Sequence, residues 1–382
     1  DATGTFTSGG RGGEIRFYLG GGDGGESIEG GLLPPGDLLV SGNLNVDGGD
    51  GGEVGGDGGE VSLDLDDLTD NYSDQRVALL GYESVSTTGG DGGEEGGDGG
   101  EYALFDVSGG DGGEADSDYI SVSMHAGSEW NDLENTRTAG NVVNEAAINA
   151  AGGNSTLTRA DGDTNGYTGD GGDGGSIEMF TSFNSELLGQ DVEAENTGAI
   201  NNSGGNAVVI NDTFDPNNPV VPGGGFGGNG GGFYLEGYSA AENTGDYTSN
   251  GGDGGEFGGD GSEIWGFNVE SATGEASNSG VLSMTGGDGA EEGGDGGEVF
   301  IFGATADNEG DVTTDAGSAT RTDELTEGPG FGGNGGDIAI IGIGLDAAEN
   351  TGALSYTMGT GITDDGRDGW VQVGISFEGD CN

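Results

Sequence analysis

The chain contains no lysine, and its seven arginines face 71 aspartates and glutamates, which gives a formal net charge of −64. A surface of this sign repels phosphate groups. The composition therefore excludes nucleic acid as a natural partner and disfavours anionic membrane surfaces. Two explanations of the acidic excess stay open. One is a halophilic, high-salt habitat in which salt screens the repulsion, and the other is binding of divalent cations along acidic edges.

Cysteine and histidine are nearly absent as well. Cys381 is the single cysteine, so no internal disulfide can form, and it is either an idle thiol or an intermolecular cross-link. His125 is the single histidine. Most residues that serve as catalytic nucleophiles or bases are thus missing, and no phosphate-binding loop or zinc spacing occurs. We predict that the protein is not an enzyme.

Long apolar runs are missing too, since none approaches the ~18–20 residues of a membrane span. We therefore expect no membrane insertion. The sequence begins Asp-Ala-Thr, which is consistent with removal of a signal peptide and predicts an extracellular protein or one on a cell or virion surface. Four N-x-S/T sequons would allow glycosylation there, at Asn71, Asn154, Asn201 and Asn211.

Glycine is abundant, with 95 residues of 382, while only six prolines are present, and this excludes collagen. Gly48–Leu65 reads GGDGGEVGGDGGEVSLDL, and near copies recur at Gly89–Val107, Gly251–Phe267 and Gly286–Gly303. A Gly-Gly-X triplet matches a helix with three residues per turn, and such helices can lie side by side with hydrogen bonds between their backbones. We predict polyglycine II-like loops or a layer of them, rather than flexible linkers.

Short apolar runs follow most glycine blocks, as in Val61–Leu65 and Val299–Phe302. An Asn-x-Gly motif comes later, for example at Asn243 and Asn278, and a second short run then leads to the next glycine block. Their β-branched and aromatic residues favour strands, and Asn-x-Gly favours a tight turn. The predicted unit is a glycine block, a strand, a turn and a strand.

Repetition of this unit predicts an all-β fold, a parallel β-solenoid (β-helix) with the glycine-rich segments as loops or a layer. We expect a single elongated repeat domain over residues 1–382. Three segments depart from the repeat: a divergent insertion at 115–165, a proline-containing loop at 211–222, and a C-terminal strand or cap at 366–382.

Calcium is the one cofactor that the pattern suggests. GGDGGEV approaches the nonapeptide of calcium-binding β-rolls, but it has Glu at the sixth position and does not recur in tandem. Binding of divalent cations along a lattice of aspartates is the favoured alternative, and a solvated acidic face without metal stays open. The candidate ligands are Asp50, Asp57, Asp91, Asp98, Asp253, Asp260, Asp288 and Asp295.

The strand, Asn-x-Gly, strand, GGxGG rhythm resembles glycine-rich secreted parallel β-helix surface and fibre proteins of bacteria and archaea. The GGX triplets resemble the polyglycine II layers of phage tail-tip adhesins and of a glycine-rich antifreeze protein. The likeness covers most of the chain outside about 115–165. It implies an extracellular structural or adhesive role, although the dense charge and the missing disulfides depart from the antifreeze pattern.

We predict a secreted structural protein that assembles with copies of itself into a fibre or surface layer, dependent on salt or calcium. The expected joints are Ile15 and Phe17 at one end and Trp370, Val371 and Val373 at the other, because solenoid ends are open.

Two alternative functions stay open. One is an adhesin or viral tail-fibre module that binds a cell-surface glycan or receptor through an aromatic cluster around Phe226, Phe233 and Tyr234. The other is a polysaccharide-active β-helix enzyme, for which Arg137 and Arg159 are the candidate arginines.

Overall fold

A computed structural model describes the chain at residues 10, 12–19, 38–51, 55–65, 76–80, 84–91, 120–131, 136–139, 141–158, 170–181, 192–210, 225–262, 266–319, 330–343, 347–361 and 364–374. These residues form strands and irregular segments without a helix, so no helix among them could span a membrane. The predicted all-β class is confirmed. The segment 211–222 and the residues Asn71, Asp98, Arg159, Asn211 and Cys381 lie outside the described residues.

The strands of the first half are, in chain order, β1 (Glu14–Leu19), β2 (Leu38–Val40), β3 (Leu44–Asn45), β4 (Glu60–Leu65), β5 (Arg76–Leu79), β6 (Ser84–Ser86), β7 (Ile120–Asn131), β8 (Thr136–Ala139), β9 (Asn141–Asn144), β10 (Ala147–Asn149), β11 (Ser155–Thr158), β12 (Ser176–Thr181), β13 (Glu193–Asn196) and β14 (Ile200–Asn201). Those of the second half are β15 (Ala207–Ile210), β16 (Phe233–Gly237), β17 (Ala240–Asn243), β18 (Tyr247–Thr248), β19 (Phe267–Ser271), β20 (Glu275–Asn278), β21 (Leu282–Ser283), β22 (Val299–Gly303), β23 (Thr305–Asn308), β24 (Val312–Thr313), β25 (Ile338–Gly342), β26 (Ala348–Asn350), β27 (Leu354–Ser355) and β28 (Val371–Val373).

Three long parallel sheets contain nearly all of these strands. Sheet I runs β1-β4-β7-β12-β16-β19-β22-β25-β28, with β8 antiparallel to β7 at its side. Sheet II runs β2-β5-β9-β13-β17-β20-β23-β26, and sheet III runs β3-β6-β10-β14-β18-β21-β24-β27. A fourth, two-stranded sheet pairs β11 with β15. The chain therefore visits sheets I, II and III in the same order each time. We call one such pass through the three sheets a circuit.

Alternation of side chains places one face of each strand in a common core. In sheet I the register aligns Val61, Val122, Ile177, Phe233, Phe267, Val299 and Ile338, all of them buried. Apolar residues of sheets II and III, such as Ala241 and Ile200, belong to the same buried cluster. Phe233, Phe267 and Tyr247 meet at its centre, with ring centroids 5.3–5.7 Å apart.

Sheet II was not predicted from the sequence. Its strands β13, β17, β20 and β23 read EAEN, AAEN, EASN and TADN, which carry few of the β-branched and aromatic residues that favour strands. Their inward positions are the small residues Ala194, Ala241, Ala276 and Ala306. Each circuit thus has three strands, where the sequence pattern predicted two. Within 115–165, the strands β9 and β10 pair in register with their neighbours in sheets II and III.

Among the described residues, glycine blocks lie between a sheet III strand and the next sheet I strand. We call the stretch after sheet III the first glycine column; it contains Gly49, Gly90, Gly153, Gly205, Gly252, Gly287, Gly317 and Gly359. We call the stretch before sheet I the second glycine column; it contains Gly10, Gly56, Gly172, Gly228, Gly259, Gly294, Gly333 and Gly366.

Backbone hydrogen bonds connect the two columns alternately. Gly259 donates to Gly252, Gly287 to Gly259, Gly294 to Gly287 and Gly317 to Gly294, and the same alternation runs from Gly172 to Gly366 with N···O distances of 2.8–3.1 Å. Glycine is required here by close approach: a Cβ on Gly287 would lie closer than 3.0 Å to the carbonyl group of Gly252. Among the described residues only Gly42, Gly266 and Gly374 have positive φ.

Candidate functional site

Each glycine column carries a regular row of side chains that face solvent. In the first column, the residue after each column glycine accepts a hydrogen bond from the backbone N–H of its counterpart one circuit later, at 2.7–3.1 Å. We call this row the first outer ladder; its members are Asp50, Asp91, Asn154, Asn206, Asp253, Asp288, Ser318 and Thr360. Side-chain oxygen atoms thus fix the register between circuits.

The second glycine column has an equivalent second outer ladder. Its hydrogen bonds run at 2.6–3.1 Å from each backbone N–H to the side-chain oxygen of the previous member, through Asp173, Asn229, Asp260, Asp295, Asn334 and Arg367. Asp57 stands at the corresponding point of an earlier circuit, where its carbonyl oxygen accepts from Gly12.

The predicted metal ligands therefore fall on two ladders. Asp50, Asp91, Asp253 and Asp288 belong to the first, and Asp260 and Asp295 to the second. Each of these six aspartates has a carboxylate oxygen that already accepts a backbone N–H from the next circuit. Among the described residues, no group of three or more acidic, histidine or cysteine side chains could hold a metal ion.

A third ladder, which the sequence analysis missed, lies inside the molecule. The asparagines at the ends of six sheet II strands each donate a side-chain N–H to the amide oxygen of the next, at 2.7 Å, in the order Asn144, Asn196, Asn243, Asn278, Asn308 and Asn350, and all but Asn144 belong to Asn-x-Gly motifs. Each also donates to a backbone carbonyl two residues later, at 2.8–3.0 Å. We call this row the asparagine ladder, and all of its members except Asn350 are buried.

The asparagine ladder lies where the chain turns from sheet II to sheet III. The motif does mark a turn, but the glycine has no left-handed backbone there. Gly245 is needed because a Cβ would meet the carbonyl of Gly198. Asn144 was overlooked because Glu-Ala follows it instead of x-Gly. The signal that could have revealed the ladder is the identical residue at one fixed place in each repeat.

The outward face of sheet I carries a cluster of tyrosine and glutamates. The Tyr234 hydroxyl donates to Glu236 at 2.6 Å, and Glu236 stands opposite Glu270 on the next strand. Burial, then the hydrogen bond to Glu236, raises the pKa of Tyr234. Burial also raises the pKa values of Glu178 and Glu236. This cluster contains no arginine among its named partners, and the side chain of Arg137 is not among those described.

The pKa values of two carboxylates outside this cluster are shifted by different causes. Glu195 of sheet II stands opposite Glu242, and burial followed by the charges of Glu242, Glu145 and Glu193 raises its pKa. Burial by itself would raise the pKa of Asp315, but hydrogen bonds from Thr357 and Ser355 outweigh it and keep that pKa below its ordinary value.

The predicted joint residues lie at opposite edges of sheet I. Ile15 and Phe17 are in β1, packed partly against the core, and Val371 and Val373 are in β28. Trp370 is 48% exposed and Val373 40% exposed. The sequons at Asn154 and Asn201 lie on the first outer ladder and on sheet III, where both amide groups are hydrogen-bonded.

Aromatic side chains lie where the chain passes from the first glycine column to the second. Phe226 is 52% exposed and stacks on Phe257, with centroids 4.8 Å apart. Bridges continue from Phe257 to Glu292, Phe331 and Asp364 in successive circuits. Of the predicted aromatic cluster, Phe226 is exposed, Tyr234 is half-buried and Phe233 is fully buried.

The chain matches no family model, no curated protein sequence and no solved structure.

Proposed function

We propose that the chain is a secreted structural protein that assembles with further copies into an extracellular fibre or surface layer. In this proposal sheets I, II and III close around their shared core as a solenoid. The glycine columns add a further side in polyglycine II geometry. The shared core and the alternating glycine hydrogen bonds support this architecture, because both continue through successive circuits, the bonds from Gly10 to Gly90 and from Gly153 to Gly366.

The observation that carries the proposal is that, within the part of the chain that the structure describes, all three sheets end in edge strands. β1, β2 and β3 end them on one side, and β28, β26 and β27 on the other. Edge strands present unpaired backbone groups in the direction of the sheet and can pair with another chain. A repeat whose two ends differ makes head-to-tail contacts, which generate filaments when the rotation does not close into a ring.

Electrostatics make this assembly depend on ions. Asp253 and Asp288 are neighbours on the first outer ladder, as are Asp260 and Asp295 on the second, and like charges directly opposite in adjacent strands are destabilising. At a net charge of −64, the joining of two chains adds further repulsion. Salt or Ca²⁺ offsets it, and the ladder aspartates are the proposed cation contacts.

Electron microscopy of the purified chain tests the proposal. We expect filaments or sheets in molar salt or millimolar Ca²⁺ and dispersed particles after EDTA treatment at low ionic strength. Dispersed particles under every ionic condition would contradict assembly. Filaments that persist unchanged in EDTA at low salt would leave assembly standing but remove its dependence on ions.

A second candidate function is that of an adhesin module. The stacking of the exposed Phe226 on the half-buried Phe257 favours it, because flat aromatic pairs suit a glycan or receptor contact. A glycan array probed with the wild-type chain and with Phe226→Ala tests it. Binding by the wild type that Phe226→Ala abolishes supports this function, and absence of binding by both chains contradicts it.

A further inference from the structure

The three sheets do not end level. In the order of the described chain, β25, β26 and β27 complete a circuit, and β28 adds one more strand to sheet I alone. At the other end the described chain starts with Gly10 of the second glycine column, followed by β1, β2 and β3. Both ends of the series thus consist of a second-column segment followed by a sheet I strand.

The additional strand in sheet I decides how a second copy can be added. If the incoming β2 and β3 pair with β26 and β27, the incoming β1 has to lie beside β25. That position is occupied by β28, which pairs with β25 from Ile338 to Ile340. If β28 keeps its place and pairs with the incoming β1, sheets II and III are each one strand short at the joint.

β28 is a weak occupant of that position. It has three residues, whereas β1 has six and pairs over its whole length with β4. Val373 is 40% exposed, whereas Ile301, at the equivalent inward place in β22, is fully buried.

We propose that copies of this chain join by strand exchange. The segment from Gly10 to β1 of one copy replaces the segment from Gly366 to β28 of the next, beside β25, and restores equal strand numbers in all three sheets. In the unassembled chain β28 covers the joining edge and slows assembly. This inference rests on the proposed self-assembly and specifies its joint.

Paired cysteines test the joint, in a Cys381→Ser background. When Ile15 takes the place of Val371, Arg16 takes that of Gln372 and lies beside Ala339. Within one chain Arg16 lies beside Ser62, and Ala339 beside Phe300 and Gln372, at opposite edges of sheet I. We therefore compare Arg16→Cys/Ala339→Cys with Arg16→Cys/Gln372→Cys, after assembly in salt and treatment with a short bismaleimide.

Strand exchange predicts that the Ala339 pair converts most of the monomer band into a ladder of cross-linked multimers, and that the Gln372 pair does not. The reverse result, or filaments in which neither pair cross-links, overturns strand exchange while assembly stands. Failure of all variants and of the wild type to assemble instead removes the proposed function. A chain ending at residue 365 adds a kinetic test, because we expect it to assemble with a shorter lag than the full chain. An unchanged lag in a folded, truncated chain also overturns the inference.

Discussion

Neighbouring circuits are joined by a buried row of side chains beside sheet II, whereas in the glycine columns they are joined by backbone bonds between glycines and by side-chain acceptors on the solvent side. In sheet II the asparagine ladder and small inward alanines fix the spacing and the register. In the glycine columns, N–H groups bond carbonyls of the opposite column with no room for a side chain on the glycines between them. Order therefore comes from a specific buried polar residue in one region, and in the other from glycines that leave no room for a side chain between the columns. The two regions should respond differently to substitution.

The largest expected effect is a methyl group inside a glycine column. In Gly287→Ala, the new Cβ meets the carbonyl carbon and oxygen of Gly252, which are backbone atoms that cannot move aside. We expect a loss of about 3 kcal/mol or more in the free energy of unfolding, the upper range for overpacking. Urea denaturation measures it. Asp288→Ala, at the next residue but facing solvent, is the matched control, and an equal loss in both variants would contradict the close-packed column.

A somewhat smaller loss is expected in the asparagine ladder. Asn243→Ala removes the donor to Asn278 and to the carbonyl of Gly245, and it leaves buried amide groups of its neighbours unpaired. Such unpaired groups cost about 1–3 kcal/mol each, so a total of about 3 kcal/mol is expected.

Asn350→Ala serves as the control for that experiment. Asn350 is only half-buried and bonds one ladder neighbour, Asn308, whereas Asn243 bonds two. Thermal unfolding of both variants should show a clearly larger drop in Tm for Asn243→Ala. Equal shifts would mean that the ladder bonds contribute no more than the surface ones.

Replacement of a carboxylate by an amide should be tolerated on the first outer ladder. Asn already occupies this ladder at Asn154 and Asn206 and provides the same acceptor oxygen. We expect Asp288→Asn to be near neutral in urea denaturation and Asp288→Ala to lose about 1 kcal/mol, because the N–H of Ser318 loses its acceptor. A loss as large in Asp288→Asn as in Asp288→Ala would show that the charge, rather than the acceptor, is what the ladder needs.

The smallest expected change is in Tm, when one charge on sheet II is removed. Burial and the neighbouring glutamates raise the pKa of Glu195, so the folded state binds its proton more tightly than the unfolded chain does. Its unfavourable contribution is absent below the unfolded pKa of about 4.3 and grows as the pH rises through the folded value. We expect Glu195→Gln to raise Tm at pH 7 and low salt and to leave Tm nearly unchanged near pH 4.

Glu275→Gln is the control for this pH experiment, because Glu275 is exposed and has Ala240 and Thr305 opposite it rather than another carboxylate. A similar rise in Tm for both variants would assign the gain to the lower net charge and not to the Glu195–Glu242 contact.

The repeat, the strand that follows most glycine blocks and the all-β class could be predicted from the sequence. Strands such as Val61–Leu65 and Val299–Phe302 were predictable because β-branched and aromatic residues alternate there. Sheet II was not predictable from propensity, because Ala, Glu and Asn are chosen there for the narrow space and the asparagine ladder and not for a strand surface. Tertiary packing overrides local preference at these positions.

The pairing of glycines across the columns could not be predicted either. Circuits differ in length, since Asp50 and Asp91 are 41 residues apart and Asp253 and Asp288 are 35 apart, so no single sequence period shows which glycines meet. The aspartates were recognised as a row, but their role as acceptors for the next circuit depends on this pairing. Free carboxylates and ladder members look the same in the sequence.

Hydrogen exchange of individual glycine amides tests most directly whether the columns are an ordered part of the fold. We predict that the amides of Gly252, Gly259, Gly287 and Gly294 exchange as slowly as those of the buried strands β19 and β22, because each donates to a carbonyl of the opposite column at 2.8–2.9 Å. Exchange at the rate of an unstructured glycine-rich chain, with β19 and β22 still protected, would contradict the account.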